Sequence, residues 1–246
     1  MTMPHIDPIE RLGFGVIPDL LTEELRRELV MLFDREDGRV GRRDGLGFGP
    51  VRAAATSAAV GGIVRAILGG SAFATKATLF GKTPSSNWLV PWHQDVTIPV
   101  RESRPTLGFD TWSTKGGIPH ARPPLQVLES MLAVRLDLDG STETNGPLHV
   151  LAGTHNRGIL GAHDIQAIRR SQSSVTCLVP PSGALIMRPL LLHASSRATA
   201  PEDRRIIHIE FATGQLPGGL EWYDRYAISQ AVQLHDADRR PLRDRC

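Results

Sequence analysis

Two imidazoles and one carboxylate in this chain are spaced so that they can share an ion. His93 and Asp95 flank Gln94, and His193 follows much further along. In a strand, residues i and i+2 point to the same face, so His93 and Asp95 can reach one metal while Gln94 turns away. Two histidines and a carboxylate on one triangular face of an octahedral ion form the facial triad of non-haem Fe(II) oxygenases, which leaves three positions open. A lone His-x-Asp is common by chance, and the segment around His193 gives it weight. Ser195 lies two residues beyond His193 and Arg204 eleven beyond. A dicarboxylate such as 2-oxoglutarate that chelates iron through its keto acid needs a partner for its far carboxylate. A guanidinium supplies a bidentate, charge-assisted one, and a strand places the Ser195 hydroxyl on the face of His193.

These residues need a scaffold that brings distant segments side by side. The apolar run Ala184-Leu185-Ile186-Met187 leads into His193, and Ile206-Ile207-His208-Ile209 follows Arg204. Two strands joined by a polar loop fit this text. Gly13 to Ile17 reads as a short strand. Thr22 is positioned to cap a helix carrying Leu25, Leu29, Leu32 and Phe33, and a second helix carries Val60, Ile63, Val64, Ile67 and Leu68 up to Gly69-Gly70. Both are expected on the outside of a sheet. The β region opens near Ala72, with Lys76, Thr78, Phe80 and Lys82 on one strand face. Met131 to Asp139 alternates, and Asn145-Gly146 marks a tight turn before a strand at 147–151. A short helix fits 163–170. Further strands fit 175–180, 184–192 and 205–212, about eight core strands in all. That count and the turn signals suit a jelly roll. Residues 36–50, rich in Gly and Arg, read as a loop near the mouth of the site. Residues 101–124 hold Pro105, Gly108, Gly116, Gly117 and Pro119 before Pro123-Pro124. They read as a long irregular lid, because such loops in compact domains are usually functional or disordered.

At its motifs the chain resembles the phytanoyl-CoA dioxygenase family of Fe(II)/2-oxoglutarate oxygenases. The matching text is Trp92-His93-Gln94-Asp95, Asn145-Gly146-Pro147-Leu148 through Gly153-Thr154-His155, and His193-x-Ser195 with Arg204 eleven on. The likeness spans roughly residues 10–215. It implies a mainly β fold, a double-stranded β-helix (jelly roll, cupin-like), with flanking N-terminal helices. One domain is expected over 1–246, its core at about 10–215 and a C-terminal extension at about 216–246. The resemblance implies His93, Asp95 and His193 as iron ligands, with Arg204 and Ser195 as the clamp on 2-oxoglutarate. Arg205 neighbours Arg204, but a strand turns the two to opposite faces, and the eleven-residue offset selects Arg204. The family often places a cosubstrate-lining aromatic after the His-x-Asp strand, which points to Trp112. Lys76 and Lys82, rare as buried residues unless paired, are candidates for a carboxylate of 2-oxoglutarate or of an acidic substrate. His120 and Lys115, in the expected lid, are candidates for substrate contact. His149, His155 and His208 fit structural roles better than ligation, and Trp92 fits core packing. The implied cosubstrates are 2-oxoglutarate and O2, the implied metal Fe(II), and the implied reaction hydroxylation of a small molecule with release of succinate and CO2. Asp95 argues against a halogenase, which needs a small residue there. Desaturation, epimerisation and cyclisation share the triad and stay open, as does a barrel that only binds.

Composition narrows the field further. With 28 basic and 26 acidic side chains and a net charge of +2, the chain gives no sign of nucleic-acid binding, which favours a clustered basic face. Its one basic cluster, Arg239, Arg240, Arg243 and Arg245, is interleaved with Asp238 and Asp244 and reads as a solvated tail. Cys177 and Cys246 make no disulfide framework. Cys177, in an apolar run, is expected in the core. No apolar run reaches 18 residues, and no basic stretch followed by an apolar one opens the chain. A soluble, cytoplasmic enzyme without membrane partners is expected. The motifs fix neither the substrate nor the oligomeric state.

Overall fold

Strands with one apolar and one polar face need a core on one side only, and the alternation of this sequence builds such a sheet around a polar hollow. The computed structural model describes residues 6–35, 41–83, 87–200 and 203–228. Its strands are β1 Phe14–Ile17, β2 Phe73–Lys82, β3 Val90–His93, β4 Ile98–Pro99, β5 Asp110–Lys115, β6 Ile118–Arg122, β7 Leu132–Asp137, β8 Leu148–Leu151, β9 Val175–Cys177, β10 Ala184–Met187, β11 Leu192–Ser195, β12 Arg204–Ala212 and β13 Tyr226–Ala227. Its helices are α1 Ile6–Leu12, α2 Glu23–Arg35, α3 Gly49–Thr56, α4 Ala58–Leu68, α5 Leu125–Glu129 and α6 Ala162–Ser171. A six-stranded sheet runs β1-β10-β7-β12-β2-β13, a four-stranded sheet β3-β11-β8-β9, and a three-stranded sheet β4-β6-β5. Every pairing between these strands is antiparallel. This is the mainly β, double-stranded β-helix with N-terminal helices that the sequence leads one to expect.

Side-chain alternation divides the large sheet. Leu132, Val134 and Leu136 of β7 share one apolar cluster with Ile207, Ile209 and Phe211 of β12 and Ala77 and Leu79 of β2. Helices α2, α3 and α4 cover that face with Leu29, Phe33, Val51, Ala54, Val60 and Val64. Thr22 caps α2 by accepting the Leu25 amide at 3.3 Å, and Gly69 (φ 87°) ends α4. The intervening residues of β2 and β12 face inward. One end of the interior is filled by Ala133, Leu148, Val150, Cys177, Leu185 and Met187. The other end stays open and polar.

Three expectations change. The single strand expected at 184–192 is two strands in different sheets. A turn closed by the Leu191 amide on the Arg188 carbonyl (3.0 Å) carries the chain across, so β10 stays in the large sheet while β11 crosses and delivers His193. The segment 101–124 is not an irregular lid. Its core is the hairpin β5–β6, turning at Gly116 and Gly117 with φ of 59° and 81°. Two successive positive φ values suit a hairpin turn, and glycine adopts them without strain. The hairpin packs down through Phe109 and Ala121 onto Ile98, Val100 and Trp222. The chain after residue 215 also remains in the fold: Val100 bridges Trp222, β13 pairs with β2, and Ile228 joins the main core. The basic cluster at 239–245 and Cys246 lie outside the described residues, as do 36–40 of the expected loop. Cys177 is a buried free cysteine whose thiol burial pushes up to about 12. Among the described residues no single helix is long and apolar enough to cross a membrane.

Candidate metal centre

Strand pairing sets the metal ligands face to face. His93, the last residue of β3, is the cross-strand partner of His193 in β11, and opposed residues of an antiparallel pair hold their side chains together. The two rings lie 4.2 Å apart between centroids. Asp95 follows where the chain leaves β3, and its amide donates to the Pro189 carbonyl at 2.9 Å, just ahead of β11. Its two carboxylate oxygens lie 3.7 Å from Nε2 of His93 and 3.7 Å from Nε2 of His193. One ligand atom from each of the three residues lies within 4.8 Å of the others, so together they could hold a metal ion. Gln94 points elsewhere and locks the site: its amide nitrogen donates to Leu190 (2.7 Å) and Gly158 (2.9 Å), and its oxygen accepts the Leu160 amide (2.8 Å).

The chemistry of the donors fits a divalent cation. Nδ1 of His93 lies 2.8 Å from the Pro91 carbonyl, and Nδ1 of His193 lies 2.8 Å from the Leu191 carbonyl. A carbonyl can only accept, so both Nδ1 atoms carry the hydrogen and both Nε2 lone pairs face Asp95. Burial pushes the His193 imidazole down to about 4 and keeps it neutral. Burial opposes the charge on Asp95, but the cluster of His193, His208, His93 and Lys76 outweighs it and holds the carboxyl below its ordinary range. The result is one anion and two nitrogen donors around one point.

A cavity of about 440 Å³ opens from these ligands. At its far wall Arg204 is the cross-strand partner of Lys82, and both are buried. Lys82 donates to Ser195 Oγ (2.9 Å) and to the Ser196 carbonyl (2.5 Å), and Arg204 donates to the carbonyls of Asn145 (3.1 Å) and Gly146. Nε of Arg204 is buried without a partner among the described residues. Burial and the neighbouring cations lower Lys82 to about 8 and Arg204 to about 9. Two buried like charges side by side are costly, and an anion between them removes the cost. The corner therefore fits a carboxylate. Gly146 makes room for it: with φ 75°, it would place a Cβ 2.6 Å from the Ser196 carbonyl and 2.8 Å from the Lys82 ammonium.

A model of the phytanoyl-CoA dioxygenase family matches residues 19–206. The chain belongs to the phytanoyl-CoA dioxygenase family. It is a non-haem Fe(II)- and 2-oxoglutarate-dependent dioxygenase, with O2 as the second cosubstrate. No curated protein sequence matches the chain significantly. Solved structures do. EctD from S. alaskensis with bound Fe is 16% identical with a TM-score of 0.68, over 88% of this chain and 79% of that one. The non-haem α-ketoglutarate-dependent carbocyclase SnoK from nogalamycin biosynthesis is 13% identical with a TM-score of 0.67, over 87% and 85%. The epimerase SnoN from the same biosynthesis is 15% identical with a TM-score of 0.64, over 92% and 94%. At such identities the likeness is one of fold.

The remaining candidates of this dioxygenase divide. Lys76, Lys82, Lys115, Ser195 and Arg204 line the cavity with the triad. Trp112 and His120 do not. Trp112 packs on Phe109, 6.3 Å between ring centroids, and His120 is fully buried in the hairpin with Nδ1 3.0 Å from the Ile118 carbonyl. Their segment folds as a hairpin whose tip reaches the cavity at Lys115, while Trp112 and His120 pack away from it. The aromatic beside the carboxylate corner is Trp88, whose ring centre lies 5.5 Å from the Lys82 ammonium. His149 meets Thr176 and Ser196, and His155 meets the Glu10 carbonyl. Trp92 packs against Ile168 and Leu192. Arg205 faces the other way and pairs with Asp139 at 2.7 Å.

Sequence reading gave His208 a role other than ligation and missed Glu210 and Arg135 as wall residues. His208 Nε2 lies 3.8 Å from both Asp95 and Glu210, and Glu210 pairs with Lys76 at 2.6 Å. The signal was present, since an inward Arg204 on a strand carries His208 and Glu210 inward with it. Trp88 and Arg43 sit in connecting segments, and no periodicity announces them.

Proposed function

We propose that this dioxygenase hydroxylates an unactivated C–H bond of a small molecule, with iron held by His93, Asp95 and His193. The observation that carries the reading is the convergence of the triad and the Lys82–Arg204 corner on one cavity. Iron bound there supplies O2 activation coupled to decarboxylation of 2-oxoglutarate to succinate and CO2. The protein's share is binding, orientation and exclusion of water. Arg204 and Lys82 hold the far carboxylate by charge, and the Ser195 hydroxyl, fixed by Lys82, sets its position. His93 and His193 present Nε2 lone pairs because backbone carbonyls hold their Nδ1 hydrogens. Arg135 and the Lys76–Glu210 pair form a polar wall beside Asp95, which the substrate faces.

The test is a metabolite panel incubated with Fe(II), 2-oxoglutarate and O2, read both as succinate and as product mass. Hydroxylation adds one oxygen to the substrate. A product that loses two hydrogens, or keeps its mass, would replace hydroxylation by desaturation or ring closure, or by epimerisation. Absence of any iron–2-oxoglutarate charge-transfer band under anaerobic conditions would leave only a barrel that binds.

A further inference from the structure

The charges of the cavity do not cancel once its cofactors are counted. Among the described residues the lining cations Arg43, Lys76, Lys82, Lys115, Arg135 and Arg204 outnumber the lining carboxylates Asp95 and Glu210, and Fe(II) with the 2-oxoglutarate dianion adds no net charge to that surplus. Glu210 is matched by Lys76. The far carboxylate matches the Lys82–Arg204 corner, on the reading proposed above. Of the three other lining cations Arg135 lies beside Asp95, and Lys115 and Arg43 remain on the opposite side. Lys115 ends β5 at the tip of the hairpin, half-buried, and its ammonium donates to Thr97 Oγ1 at 2.8 Å, two residues beyond Asp95. Arg43 is exposed at the rim, on a segment that bridges β2 at Arg42–Leu79 and Asp44–Ala77. Those bridges hold Arg43 beside Lys76 and Thr78, which line the cavity with it. Among the described residues neither Lys115 nor Arg43 is in an ion pair. Burial, with Lys76 and Arg43 nearby, lowers the Lys115 ammonium below its ordinary range.

We infer that the substrate is a small organic oxyanion whose carboxylate or phosphate is held between Lys115 and Arg43, at the end of the cavity away from the 2-oxoglutarate corner. The inference rests on the cosubstrate reading above. Hydrogen bonds to charged groups are stronger than neutral ones, and a pair converging on one anion gives both affinity and orientation. Anchored at the hairpin tip, the anion leaves the rest of the substrate pointing back toward Asp95, the only carboxylate of the triad.

The test uses protein loaded anaerobically with Fe(II) and 2-oxoglutarate, titrated calorimetrically with benzoate, phenyl phosphate and the neutral benzamide. Both anions, or one, should bind at least about tenfold more tightly than benzamide, and the stronger of the two names the oxyanion. Lys115→Met should weaken the anion about tenfold and Arg43→Gln several-fold, with binding falling as salt rises. Iron and 2-oxoglutarate affinities should stay at wild-type values in both variants. Failure of both benzoate and phenyl phosphate to bind more tightly than benzamide overturns the inference. So does anion binding untouched by Lys115→Met in a folded variant, or an anion that displaces 2-oxoglutarate. Failure of the wild-type protein to bind 2-oxoglutarate sinks the cosubstrate reading instead, and the same anion–amide and Lys115 comparisons on the Fe(II)-loaded protein then decide the inference alone.

Discussion

At the scale of single residues, neighbours with the same chemistry have different roles because the strand assigns them to different faces. Arg204 is buried against Lys82, while Arg205 pairs with Asp139 and Asp34 on the outside. Arg204→Ala should weaken 2-oxoglutarate by about 10- to 150-fold while leaving iron bound, from roughly 1.5–3 kcal/mol of charge-assisted hydrogen bonding. Arg205→Ala should leave that affinity alone and cost about 1 kcal/mol or less of stability, being a partly exposed pair. A reversed pattern in calorimetry would put the register off by one. Asp95→Ala removes the triad's only anion, and the protein should lose iron on desalting and stop releasing succinate. A pH effect belongs here too. Burial pushes the His120 imidazole from 6.5 down to about 4. As pH falls, the unfolded chain therefore binds its proton first, and stability is lost between about 6.5 and about 4. His193 and His208, at about 4 and about 3, act in the same direction in metal-free protein. Melting followed from pH 7 to 4.5 should show this fall, and His120→Gln should make it shallower.

Elements explain what could be read from the sequence and what could not. Period-two alternation fixed the inward residues of β2 and β12 and hence Lys76, Lys82 and Arg204, because one face of each strand is apolar. The same rule reaches His208 and Glu210 once Arg204 is placed. The hairpin β5–β6 was hidden because Asp110 to Lys115 is almost wholly exposed, so its sequence carries no apolar alternation. Only the Gly-Gly pair announced a turn. The break between β10 and β11 was legible and passed over: Arg188-Pro189 separates the apolar runs Ala184–Met187 and Leu190–Leu192, and a proline does not continue a central strand. Trp88 lies in a connection and Trp112 on a hairpin, so position relative to His-x-Asp did not identify the aromatic beside the corner. Gly146 gives this scale its prediction. Gly146→Ala forces a side chain into the left-handed region and against the Ser196 carbonyl and Lys82. It should cost about 1–2 kcal/mol of stability and also weaken 2-oxoglutarate, which isothermal titration and thermal melting read separately.

For the molecule as a whole, one end of the barrel is packed with apolar side chains and the other is kept open by charges that repel one another. Ligands should therefore stabilise the fold appreciably. At a hundredfold excess over its dissociation constant, a ligand adds about 2.7 kcal/mol. For a chain of this size that is a rise of about 5–10 °C in melting temperature when Fe(II) and 2-oxoglutarate are supplied together. Asp95→Ala should lose the metal-dependent part of the rise. No rise in the wild-type protein would contradict a site that exists chiefly to be filled.

His93 and His193 meet only because β3 and β11 pair, and Asp95 is tied to Pro189 across the same seam. Contacts so distant along the chain are slow to form, since a long loop must close first. Iron therefore has no complete binding site on a growing chain until the strand with its second histidine has left the ribosome and docked. Metal uptake then reports barrel closure: a refolding protein should acquire its iron–2-oxoglutarate colour in step with tertiary structure and after its helices have formed.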